Sequence, residues 1–223
     1  MLYRPRPPIA ALVVPLLITG ACRFGDSGRV DWTALERDAD GPRLRVVVVG
    51  NPSDPRIAPA REAIGYWNRE LHRLQRTIHL DSLTVRADSV PDDLLRAVSG
   101  EAMMGGGRAT TRLVTTLSDA PADILIVLSQ TDLISFGVPW RAKRRGIVAI
   151  RRSDIPPLSL PNTVRNVIAH EIGHVLGLEH NADSTTLMCG RPAACRPATF
   201  ASVTARFFPL TPVDDDRLRK RWP

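Results

Sequence analysis

"AHEIGHVLGLEHNADSTTLMCG", residues 169–190, places three of the chain's five histidines within eleven positions, with a glutamate beside the first. Its reading decides the rest. Asn162 or Thr163 can begin a helix that runs through Val164, Val167 and Ile168, with Ile172, Val175 and Leu176 covering its buried sides. On that helix His170 and His174 stand four residues apart, so both imidazoles project from one face. His180 cannot share it: six further helical residues would carry it about 9 Å along and roughly 240° around from His174. Gly177 resolves this, because glycine readily takes the left-handed conformation that ends a helix and turns the chain. With the turn at Gly177, His180 can swing back toward the other two.

Three neutral imidazoles with an open fourth position are how a catalytic zinc is held. Zinc would lower the pKa of a bound water toward ~7 and polarise a carbonyl oxygen. Glu171, next to the first histidine, can take a proton from that water and return it to a leaving amine. The bland alternative is a histidine-rich amphipathic helix. Five fixed positions (His, Glu, His, Gly, His) would coincide by chance on the order of a few times in a million.

"HEIGHVLGLEH" resembles the long zinc motif of the metzincin metalloproteases, H-E-x-x-H-x-x-G-x-x-H, through His170, Glu171, His174, Gly177 and His180. That family also carries a methionine in a turn beneath the metal, and "STTLMCG" supplies Met188 at a spacing most similar to the matrixin branch. Core packing is the plainer role for Met188, and a floor residue performs it as well. The resemblance implies a zincin domain: a twisted mixed α/β sheet, an active-site helix, a Met-turn and a C-terminal helix. It also implies one catalytic zinc, a polypeptide substrate and hydrolysis of internal peptide bonds. "ADILIVLS" (122–129) and "GIVAI" (146–150) resemble sheet strands there, the second as the edge strand beside which substrate lies extended. Departures matter too. Gly190 stands where the astacin and serralysin branches place a tyrosine, and the histidines of the matrixin structural zinc are missing. His72 and His79 read as ordinary partly buried residues. No cysteine-switch segment is visible. The stretch from Cys189 to Phe208 is longer than the simplest matrixins need, so family specificity rules do not transfer.

Outward from this motif, the chain has 223 residues, 43% hydrophobic, enough for one well-packed domain and too little for two large ones. Its formal charge is +7, almost wholly from arginine, with Lys143 and Lys220 the only lysines. The densest basic run, "WRAKRRG" (140–146), lacks nucleic-acid motifs around it, so a nucleic-acid partner is not expected. Arg4 and Arg6 precede the apolar run "IAALVVPLLITGA" (9–21), the layout of a secretory signal and too short to span a bilayer comfortably. "ITGAC" is similar to a bacterial lipobox, which would make Cys22 a lipidated mature N-terminus; plain secretion is the alternative. Cleavage after residue 21 removes two arginines and no acidic residue, leaving a charge of +5. Cys189 and Cys195 can then pair in an oxidising compartment, a closure contributing roughly 2 kcal/mol, or remain as two thiols.

The organisation expected is a signal peptide (1–21), a polar tether (22–42) and one metalloprotease domain (43–223). "RLRVVVVG" (43–50) reads as a buried strand, and apolar residues at Ile57, Ala60, Ile64, Trp67, Leu71 and Leu74 mark an amphipathic helix. "TIHLDSLTV" (77–85) reads as a second strand, "PDDLLRAV" (91–98) as a short helix and "GEAMMGGGR" (100–108) as a flexible connection. "LTPVDDDRLRKRW" (210–222) reads as a closing helix capped by Thr211, with Pro212 in its first turn. Glu179 reads as a solvated carboxylate and Asp183 as turn chemistry, the latter with an alternative as support for a ligand histidine. Cys189 beside Met188 has thiolate ligation as its alternative. Acidic loop residues are too scattered to assign a calcium site.

The sequence therefore points to an exported, lipid-anchored zinc endopeptidase of the bacterial envelope. His170, His174 and His180 would hold zinc, Glu171 would be the base and Met188 the floor. Two rivals keep the metal and put it to another use. One is a non-catalytic zinc-binding lipoprotein, the other a zinc hydrolase of a non-protein amide such as a cell-wall crosslink.

Overall fold

The computed structural model describes residues 37–38, 41–81, 83–104, 112–113, 116–117, 121–140, 145–154, 156–190 and 204–222. The expected signal peptide, Cys22 and Cys195 lie outside them, as does most of the tether. Arg37–Asp38 (β1) pairs antiparallel with Gly41–Leu44 (β2), so the last part of the stretch read as tether holds a short strand pair.

The run expected as one strand at 43–50 is two. β2 joins β1 and His79–Leu80 (β4) in a three-stranded sheet. After Arg45, Val46–Val49 (β3) enters a second sheet. The segment 77–85 divides likewise, into β4 and Thr84–Arg86 (β5), so the chain changes sheets twice at matching places. The main sheet runs β5-β3-β6-β8-β7, with Ile124–Leu128 as β6, Phe136–Trp140 as β7 and Arg145–Ile150 as β8. All pairs are parallel except β7 on β8.

This corrects the expectation for 146–150. β8 is flanked by β6 and β7 and is no edge; β7 takes that place. Sequence reading missed β7 because "FGVPW" carries a glycine and a proline, residues that weaken a strand signal and are tolerated at an edge.

A run such as Val46–Val49 is apolar at every position because both faces of the sheet are covered. Val46 and Val48 face one core with Ile124, Ile126, Val148 and Ile150; Val47 and Val49 face the other with Leu125, Val127, Ile147 and Ala149. Helix α1 (Ile57–Arg73) lies on the first face, and all six residues of its expected stripe are buried. Each of the larger ones stabilises by roughly 1.5–3 kcal/mol relative to exposure. Helix α2 (Asp92–Met104) covers the second face through Leu94, Leu95 and Val98. It runs through residues 100–104, expected as loop, since Gly100 costs a helix only about 1 kcal/mol.

Helix α3 (Pro161–Leu176) returns to the first face beside α1 and begins one or two residues earlier than expected, with Pro161 in its first turn. Helix α4 (Pro212–Arg221) closes the fold through a capping box: Thr211 Oγ1 accepts from Asp214 N, and Asp214 Oδ2 accepts from Thr211 N. Among the described residues no helix is long and apolar enough to cross a membrane.

Candidate metal centre

Helix α3 is clamped before it carries any chemistry. Trp67 Nε1 of α1 donates to Ala169 O at 2.9 Å, one residue before the first histidine. Asn166, fully buried, donates to Arg206 O and accepts from Phe208 N, tying the chain ahead of α4 across the helix. At the far end Trp222 Nε1 donates to Leu176 O at 3.0 Å. Each bond fixes a turn of α3 relative to another element.

The helix ends as expected. Gly177 has φ 101° and ψ 14°, its N–H donates to His174 O, and Leu178 N–H donates to Gly173 O, a Schellman closure. Space requires glycine as well: a Cβ here would lie 2.4–2.8 Å from three side-chain atoms of Arg221. The turn brings His180 back to the helix. His170 Nε2 and His180 Nε2 are 3.2 Å apart, and His174 Nε2 is 3.1 Å from each. His170 is buried, His174 half-buried and His180 exposed, so the cluster opens to solvent on one side.

The opposite ring nitrogens decide what this cluster can hold. His170 Nδ1 donates to Leu187 O at 2.7 Å and His174 Nδ1 donates to Leu178 O at 2.9 Å. A carbonyl can only accept, so in the neutral rings the proton sits on Nδ1 and the lone pair on Nε2. Lone pairs converging this closely repel unless a cation stands between them. Nitrogens about 2.0–2.1 Å from a tetrahedral zinc lie about 3.4 Å apart, close to the spacing here. The donor set therefore fits one zinc. It is the one group of three or more potential ligands among the described residues.

Met188 is fully buried, and its Sδ would lie 2.7 Å from a Cβ on Gly173, the residue before His174. The thioether thus packs under the histidine helix through a gap that Gly173 leaves. Asn181 N donates to Met188 O and Gly190 N to Asn181 O, zipping the segment after His180 onto the methionine turn. Glu171 is 4% exposed, and β7 crosses directly over its backbone: a Cβ on Gly137 would fall 1.9 Å from Glu171 O.

Other expectations sort by their partners. Cys189 is disulfide-bonded, which removes its sulfur as a thiolate ligand; Cys195 lies outside the described residues. Asp183 Oδ1 accepts from Thr185 N and Oγ1, bonds that hold its carboxyl below the usual range and make it a turn residue. Glu179 accepts from Arg217 of α4 on the surface. His72 and His79 are exposed rather than partly buried, and stand apart from the histidine cluster. A cleft of about 930 Å³ opens at the carboxyl ends of β3 and β6, lined by neither Glu171 nor any of the three histidines. Sequence reading missed Gly137, Gly173 and Asn166, and read Trp67 only as a stripe residue without its bond to Ala169 O. Their signal is a contact partner far along the chain.

The three-nitrogen site fits the class to which the family match assigns this chain, the zinc metallopeptidases. The family model for matrixin (peptidase M10) matches residues 77–201, more than half of the chain, and the chain belongs to that family. Solved structures are similar at low identity. Archaemetzincin from Methanopyrus kandleri is 16% identical, with 84% of this chain and 98% of that one covered and a TM-score of 0.49. A zinc-dependent peptidase from Methanocorpusculum labreanum is 12% identical, covering 78% of this chain and 99% of its own at a TM-score of 0.41. Myroilysin is 9% identical, at 81% and 83% coverage and a TM-score of 0.43. Comparison with curated proteins returns no match.

Proposed function

We propose that this zinc peptidase is an exported endopeptidase in which Glu171 is the general base. The observation that carries the reading is the convergence of three Nε2 atoms at 3.1–3.2 Å, with two of the rings anchored through Nδ1, beside a buried glutamate under a sheet edge. His170, His174 and His180 would hold the ion, and Met188, packed against Gly173 under their helix, would form the apolar floor of the site. Zinc, when bound, supplies Lewis acidity that acidifies water and polarises the scissile carbonyl. Glu171 accepts a proton from the attacking water and delivers it to the leaving amine as the C–N bond breaks. Its burial raises the strength of both proton contacts by excluding competing solvent. Polypeptide lies extended along the free edge of β7, which passes over Glu171.

Export rests on the N-terminal signal pattern and Cys22, which would anchor the mature chain to the bacterial envelope by lipid. The disulfide at Cys189 is in keeping with an oxidising compartment.

The test compares the mature domain with Glu171→Ala on a mixed-sequence peptide pool, with zinc content measured on both. Cleavage by the parent alone at equal zinc supports the reading. Bound zinc without cleavage by either overturns it, in favour of a binding lipoprotein or a non-protein amide substrate, which a muropeptide panel then separates.

A further inference from the structure

We infer that Pro139 leaves a gap in the hydrogen-bond ladder by which β7 holds an extended polypeptide, so that the substrate residue facing it is held through its N–H alone. The inference rests on polypeptide docking along β7.

The bonding sides of β8 are set by its neighbours. Gly146 N donates to Asp123 O, Ile150 O accepts from Ser129 N, and Arg152 N donates to Thr131 O. Within a strand, the N–H and C=O of one residue point to one side and those of the next to the other. Residues 146, 148 and 150 therefore serve β6, and 145, 147 and 149 serve β7. The register places Val138 opposite Ile147 and Phe136 opposite Ala149, so these pairs exchange bonds across β7 and β8. Gly137 and Pro139 stand opposite Val148 and Gly146, and turn their backbone groups to the other edge. Among the described residues no strand pairs there.

That edge offers Gly137 N–H, Gly137 C=O and Pro139 C=O. Proline has no N–H to add. In a polypeptide running antiparallel to β7, the residue opposite Gly137 exchanges two bonds. Two residues along, the residue opposite Pro139 donates its N–H, while its own carbonyl meets no donor. Recognition is thus anchored where Gly137 crosses Glu171 and loosened beyond it. The enzyme should be indifferent to the acceptor strength of that one carbonyl.

The experiment reads binding without turnover, in the Glu171→Ala background, with a fluorescein-labelled peptide chosen from those the parent cleaves. One series N-methylates single residues. The other replaces single amides by esters, which removes that N–H and weakens the preceding carbonyl as an acceptor; it is read at the residues that follow the two facing β7, whose own N–H points away from it. We expect N-methylation to weaken binding at two residues spaced two apart, and ester replacement to weaken it after only one of them. Pro139→Ala should tighten binding about 2- to 10-fold, the worth of one added hydrogen bond, and make the second ester position sensitive. Pro139→Val supplies the same donor in a strand-favouring residue and must behave alike, so that a loosened strand is not mistaken for the effect. Ester sensitivity at both positions in the parent, or an unchanged pattern in both variants, overturns the role of Pro139 alone. If no N-methyl position matters, docking along β7 fails, and the inference with it.

Discussion

Gly190 lies against the ring of His180: a Cβ on Gly190 would fall 2.1–2.5 Å from three of its ring atoms. No side chain fits there while His180 keeps its place. Gly190→Ala should push His180 out of line and lower zinc affinity by about 10- to 100-fold, the usual cost of disturbing a ligand's support. Competition against a calibrated chelator measures it, with circular dichroism showing that the fold persists. Unaltered affinity would mean the ring has room to shift without loss.

Gly177 carries a comparable constraint for two reasons, its left-handed φ of 101° and its contact with Arg221. Gly177→Ala should cost at least about 1–2 kcal/mol from backbone strain alone, more if Arg221 cannot move. Urea unfolding of the metal-free protein isolates this cost from any loss of zinc.

Metal removal should separate chemistry from fold. The helix bearing His170 and His174 is held by Trp67, Asn166 and Trp222 through bonds that involve no ion. A strong chelator should therefore abolish peptide cleavage while near-ultraviolet circular dichroism stays native-like, and one equivalent of zinc should restore activity. Loss of the aromatic signal on chelation would show that the clamps depend on zinc.

The buried pair Asp54–Arg56 predicts a pH dependence. Arg56 donates to both Asp54 oxygens and, through Nη1, to the carbonyls of Ser129, Ile150 and Arg151, binding the ends of β6 and β8 to the start of α1. Burial pushes the Asp54 carboxyl up, but its hydrogen bonds and the charge of Arg56 outweigh that and hold it below the usual value. A lowered folded-state pKa stabilises fully above the unfolded value of about 3.9 and fades as pH falls through the folded one. Asp54→Asn should therefore destabilise by on the order of 3–5 kcal/mol at pH 7. That gap should narrow below about pH 4, as followed by urea unfolding across pH.

Much of the centre was legible locally, because its parts lie within one turn-linked segment. A separation of four residues puts His170 and His174 on one helix face whatever the helix packs against. A glycine three residues on permits the reversal that His180 needs. The stripe from Ile57 to Leu74 and the cap at Thr211 were equally readable, since periodicity and capping act over a few residues.

The tertiary structure decided what depends on residues far apart. β7 gives almost no strand signal, because Gly137 and Pro139 are chosen by where they lie, one against Glu171 and the other on a free edge. The edge passed from β8 to β7 for the same reason: strand order follows from packing partners, which spacing does not encode. Gly173 and Gly190 look like ordinary glycines until Met188 and the His180 ring occupy the space beside them. The histidine triad is thus a property of a short sequence with fixed helical geometry. The bonds that orient it, the floor beneath it and the edge above it exist only once distant segments are packed together.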